Sequence, residues 1–160
     1  MKHRTEWRGL LVALILLPIL AACGAQSTVA SDLSAAQQRW GSGGLVNYRY
    51  TLEITCFCVA PANEQLLVEV QNGATARITT VAGGEAVSSD QAERAGTVPS
   101  LFEIIRDAHE RGADEVDVTY DEALGYPTRI RIDEHAQAAD DEAVYQVSDL
   151  AEIPAASPEG

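Results

Sequence analysis

Residues Val116 to Asp133 read Val-Asp-Val-Thr-Tyr-Asp-Glu-Ala-Leu-Gly-Tyr-Pro-Thr-Arg-Ile-Arg-Ile-Asp. Val116, Val118 and Tyr120 alternate with Glu115, Asp117 and Thr119. After a turn holding Gly125 and Pro127, Thr128, Ile130 and Ile132 alternate with Arg129 and Arg131. A period of two on both sides of a Gly/Pro turn predicts a β-hairpin with one buried face. On the other face, acids of the first strand stand opposite arginines of the second, and each such pair contributes roughly 0.2 to 1 kcal/mol.

The flanks extend the pattern. Before the hairpin, Ser100 and Glu103 have capping-box spacing, Leu101, Ile104, Ile105 and Ala108 form an apolar stripe, and Gly112 stands where a C-terminal cap belongs. That is a helix. After the hairpin, an acidic loop leads to Ala143, Tyr145 and Val147, which predict a last strand. Between Ala82 and Gly96 the residues are polar and small without a period, and are expected as a mobile surface loop.

Further upstream, Val46, Tyr48, Tyr50, Leu52, Ile54, Cys56 and Cys58 alternate with polar residues, predicting a long strand with one buried face. Leu66, Val68 and Val70 continue the alternation, Asn72-Gly73 suits a type I′ turn, and Ala74 to Val81 return as a third strand. A first helix is expected from a Ser31 cap, with Leu33, Ala36, Gln37 and Trp40 on one face and Gly41-Ser42-Gly43-Gly44 ending it. Trp40 at helical spacing reads as a core anchor, with a ligand platform as the alternative. The expected fold class is α+β, an antiparallel sheet of about six strands with two helices on one face, in the order α-β-β-β-α-β-β-β. The repeated order leaves an internal duplication open.

The N-terminus reads as an address. Lys2, His3, Arg4 and Arg8 precede an apolar run from Leu10 to Leu20, too short for the roughly 20 residues of a membrane-spanning helix. Leu20-Ala21-Ala22-Cys23 resembles the lipobox of a bacterial lipoprotein signal, in which the cysteine thiol receives a diacylglycerol and becomes the mature N-terminus. Residues 1–22 are therefore expected as signal peptide, 23–30 as a flexible tether, 31–153 as a single domain and 154–160 as a frayed end. Localisation follows as the cell envelope, lipid-anchored outside the cytoplasmic membrane on the extracellular face or in the periplasm. The net charge is −13 for the whole chain and becomes −15 once the first 22 residues are removed. An acidic domain of this kind excludes nucleic-acid binding, which needs clustered Lys and Arg, and leaves the covalent anchor on Cys23 as its route to a membrane.

Cys56-Phe57-Cys58 is the sharpest chemical feature. In an exported protein whose Cys23 carries lipid, the two remaining thiols are expected as a disulfide. Free or metal-binding thiols and redox chemistry are the alternatives, although the spacing is not the Cys-x-x-Cys of thiol oxidoreductases. Asp121, Glu122, Asp133, Glu134, Asp140, Asp141 and Glu142 cluster around the hairpin ends. Their oxygen density allows weak, millimolar Ca²⁺ binding, but the spacing matches no calcium loop and the solvated reading is preferred. Tyr120, Tyr126 and Tyr145 are candidates for a recognition surface, and Tyr126 equally for packing back on its own hairpin. No Gly-x-Ser-x-Gly elbow, phosphate loop, dinucleotide fingerprint or His-Glu-x-x-His is found, so neither an enzyme nor a cofactor is expected.

Taken together, the lipobox, Cys56-Phe57-Cys58, Tyr120-Asp121 with Gly125-Tyr126-Pro127, Ile130 to Asp133, and Asp140-Asp141-Glu142 before Tyr145 resemble a bacterial lipoprotein family catalogued as domain of unknown function 6174. The resemblance covers approximately Trp40 to Leu150. It implies an envelope protein of this α+β type and brings no activity. The functional expectation is a lipid-anchored binding or scaffolding module. The alternatives are a thiol- or metal-dependent protein centred on Cys56 and Cys58, and a periplasmic inhibitor or sensor.

Overall fold

A computed structural model of the protein describes residues 22–57, 64–87, 90–138 and 140–155. The element order is α1 (Ala22–Gly43), β1 (Tyr48–Cys56), β2 (Gln65–Gln71), β3 (Ala74–Thr80), α2 (Asp90–Arg94), α3 (Val98–Arg111), β4 (Glu115–Tyr120), β5 (Pro127–Asp133) and β6 (Glu142–Glu152). The strands form one antiparallel six-stranded sheet in the order β3-β2-β1-β6-β5-β4. This is the expected α+β layout with a third, one-turn helix added. Seen from the helical side, the two strand triplets wind with opposite hands. No rotation superposes them, and the duplication reading falls.

Alternation dictates the sheet. Tyr48, Tyr50, Leu52 and Ile54 of β1 and Leu66, Val68 and Val70 of β2 are all buried on the helical side. In the β4–β5 hairpin, Val116 pairs with Ile132 and Val118 with Ile130, and a bulge after Thr119 sets Tyr120 opposite Pro127. The β2–β3 turn carries Asn72 at φ 55° and Gly73 at φ 78°, the left-handed pair that the type I′ turn requires. Strand β6 is longer than Ala143 to Val147 and lies at the centre, between β1 and β5.

Three local expectations are corrected. Helix α1 starts at Ala22, not at Ser31, so residues 23–30, expected as a tether, are helical. Ala25, Gln26 and Ala30 are good helix formers, and Val29 gives this end a contact with the core. The stretch expected as a mobile loop holds α2, with Ala92 and Ala95 fully buried. Small residues close against a sheet without leaving an apolar stripe to read. The cap of α3 is Thr97, three residues before Ser100. The Thr97 hydroxyl accepts the Ser100 N–H at 3.1 Å and the Ser100 hydroxyl accepts the Thr97 N–H at 2.9 Å, a capping box with serine in the place of Glu103. Gly112 at φ 77° ends the helix as expected.

The core lies between the sheet and the helices. Leu33, Ala36 and Trp40 of α1, with Leu101, Ile105 and Ala108 of α3, meet the inward side chains of the strands. Each large aliphatic side chain buried this way contributes about 1.5–3 kcal/mol. Tyr50 donates its hydroxyl hydrogen to the Ala95 carbonyl, and the Tyr48 hydroxyl accepts the Val98 N–H at 3.0 Å. These two bonds tie β1 to the α2–α3 corner. Among the described residues no helix is long and apolar enough to cross a membrane.

Candidate functional site

The β4–β5 turn is built as a structural joint. The Asp121 carboxylate accepts the N–H groups of Ala123 at 3.0 Å and Leu124 at 2.6 Å, and the Asp121 N–H donates to the Tyr126 carbonyl at 2.8 Å. Gly125, at φ 82°, is buried against α1. Tyr126 meets Trp40 edge to face with ring centroids 6.5 Å apart, and Trp40 meets Tyr48 the same way at 5.2 Å. Tyr126 thus packs against Trp40 of α1. Trp40, buried, is a core anchor. Tyr145 is also buried in the core, which removes it from a recognition surface.

The face of the sheet away from the helices is polar. Arg131 is its hub: it pairs with Glu115 and, at 2.9 Å, with Glu142, and lies 3.9 Å from Asp133. Arg129 reaches Asp117 at 3.7 Å. The expected acid–arginine ladder is present, with each ion pair running diagonally from the directly opposed positions. Bonds to Glu142 and Glu115 hold the Arg131 guanidinium charged above its ordinary range. On this face Thr51, Glu53, Gln65, Arg129, Gln146 and Ser148 line a shallow depression of about 240 Å³.

The acidic residues after β5 are dispersed among structural tasks. Asp141 pairs with His135 at 2.8 Å and Glu134 with Arg111 at 2.6 Å, while Asp114, just before β4, accepts the Ala136 N–H of the same loop at 2.8 Å. Asp140 is exposed. Asp133 and Asp141 each keep one buried carboxylate oxygen without a hydrogen bond. Among the described residues no three His, Cys, Asp or Glu side chains gather to hold a metal ion.

A second concavity, about 170 Å³, opens between α1 and the edge strand β4, lined by Thr28, Val29, Asp32, Val116, Asp117, Val118 and Tyr120. Burial, reinforced by the charge of Asp32, pushes the Tyr120 hydroxyl up to about 12 against an opposing influence from Arg39. Tyr120 and Asp121, adjacent in sequence, therefore do different work: one walls this cleft and the other knots the turn. Asp32 carried no readable signal, because only the docking of α1 on β4 brings it there. Cys23 lies at the start of α1. Cys56 ends β1, half-buried against the core, and Cys58 lies outside the described residues.

Residues 32–152 match the family described as "Family of unknown function (DUF6174)". The chain belongs to this family. The DUF6174 span runs from Asp32 in α1 to the end of β6 and takes in the whole sheet, the α1–β4 cleft from Asp32 onward, Cys56 and Cys58. Cys23 precedes it. No curated protein and no solved structure matches the chain.

Proposed function

We propose that this DUF6174 protein is a lipid-anchored component of the bacterial cell envelope that serves as a binding or scaffolding module. The observation that carries the reading is the continuity of α1. The helix runs from Ala22, beside the lipobox cysteine, to Gly43, and its later turns are built into the core through Leu33, Ala36 and Trp40. At about 1.5 Å per residue, roughly 9 Å of helix separates Cys23 from Val29, which packs against the core. A lipid on Cys23 then leads into the folded body through helix, and the sheet is displayed at a set distance from the membrane. Each buried lipid CH₂ contributes about 0.8 kcal/mol, enough in a multi-chain anchor to retain an acidic domain on a surface that repels it. The test is fractionation of the full chain and its Cys23→Ser variant: the parent sediments with membranes and the variant is released. A variant that stays with the membranes overturns the anchor.

A second reading centres on Cys56 and Cys58 as a disulfide pair. It is favoured by the position of Cys56, half-buried at the exit of β1, and by Phe57, which is 83 % exposed between the two cysteines. Such a tight bridge over one residue is a staple at the strand end and, if strained, a reducible bond. Intact mass under denaturing conditions without reductant decides: two hydrogens fewer than the reduced chain supports the bridge, and the full reduced mass removes it.

A further inference from the structure

The two edges of the sheet are finished differently. Beyond β3 the chain returns along the strand: Thr80 N–H donates to the Glu85 carbonyl at 2.9 Å, Val87 N–H to the Ile78 carbonyl at 3.0 Å, and Thr79 bridges Ala86. That edge is covered over Ile78–Thr80. Beyond β4, among the described residues, no backbone hydrogen bond reaches Glu115–Tyr120 from outside the sheet. An open edge presents a row of amide and carbonyl groups ready to pair with an added strand.

The side chains of β4 state what such a strand must look like. On the helical side, Val116, Val118 and Tyr120 are half-buried and, with Val29, floor the cleft beneath α1. On the other side, Glu115 and Asp117 are exposed. A strand laid along β4 places every second side chain over the apolar floor and the others beside these carboxylates. We propose that β4 is a docking edge for an extended segment of a partner protein in which apolar residues alternate with lysine or arginine. The inference rests on the binding-module reading and names the partner class for it. The strong negative charge of the domain steers a basic segment toward this edge. A second copy of the chain is a poorer occupant, because β4 laid on β4 sets Glu115 and Asp117 against the same acids.

The test uses the full chain in detergent micelles and peptides of alternating valine and lysine or valine and glutamate, six residues long to match β4. The valine–lysine peptide is expected to bind and to slow amide hydrogen exchange over 115–120. The valine–glutamate peptide is expected to bind at least about tenfold more weakly. In the Glu115→Lys/Asp117→Lys variant the preference reverses, a readout that loss of folding cannot produce. Equal binding of both peptides, protection away from 115–120, no protection at all, or protection that rises with the concentration of the chain alone each overturns the proposal. The last of these assigns the edge to a second copy. Sedimentation with membranes accompanied by no protection of 115–120 leaves the anchored reading standing and removes the edge. Protection without sedimentation does the reverse.

Discussion

Gly125 lies against the carbonyl of Ala36: a Cβ built on the glycine comes within 2.4 Å of that oxygen and 2.8 Å of the Arg39 Cβ. The turn of the β4–β5 hairpin is pressed onto the backbone of α1 at the one residue type that permits it. Gly112, also left-handed, has nothing within 4 Å of the same construction. Gly112→Ala is therefore expected to cost about 1–2 kcal/mol for the left-handed backbone alone. Gly125→Ala should cost roughly 3 kcal/mol or more, because the turn must also leave the helix. Urea denaturation of the two variants checks the difference, and equal losses would show that the turn does not bear on α1.

Alkaline stability is set by tyrosines. Burial raises the hydroxyl pKa of Tyr48, Tyr50, Tyr120 and Tyr126 above the ordinary value, to about 12 for Tyr120. In the unfolded chain these groups lose their protons near pH 10. Stability is whole below that point and falls as the pH rises from about 10 toward 12 and above, since the unfolded state then holds fewer protons than the native one. The melting temperature should stay level to about pH 9.5 and drop beyond it. Tyr50→Phe should flatten the drop while costing about 1–3 kcal/mol at neutral pH, because the Ala95 carbonyl loses its donor.

Removing Arg131 leaves Glu115, Asp133 and Glu142 without their shared cation. Arg131→Met is expected to lower stability at low ionic strength and to lose most of that effect in 1 M salt, where the Debye length is about 3 Å. A loss independent of salt would assign Arg131 a packing role instead.

The Thr97 cap is worth about 1 kcal/mol, so Thr97→Ala should lower the unfolding free energy by that amount. Ser100→Ala should reproduce part of the loss, since the two hydroxyls serve one box. Glu103→Ala, the change that capping-box spacing from Ser100 would single out, should leave the cap intact. Glu103 instead pairs with Arg106 on the surface of α3.

What could be read from the sequence was whatever repeats locally. Tyr48 to Ile54 and Val116 to Ile132 carry a period of two, and Leu101 to Ala108 the helical spacing, so strands, hairpins and α3 followed from them. The placement of β6 between β1 and β5 has no local signature, since Ile54 finds Tyr145 across some ninety residues of chain. Ala92 and Ala95 are fully buried yet too small to mark an apolar face. Of the candidate residues, Asp121 and Tyr126 stand out by type, and the structure gives them local hydrogen bonds and aromatic packing on α1. The cleft beside β4 has no local signature because its two walls, at residues 28–32 and 116–120, lie more than eighty residues apart in the chain.

The covered end of β3 bears on how far any edge-to-edge association can go. A sheet with two open edges passes growth along from molecule to molecule, and a fibre can lengthen indefinitely. Over Ile78–Thr80 the returning chain already occupies the outer side of β3. An incoming strand would have to displace that return to pair along the full length of β3, which works against the repeated addition that a fibre needs.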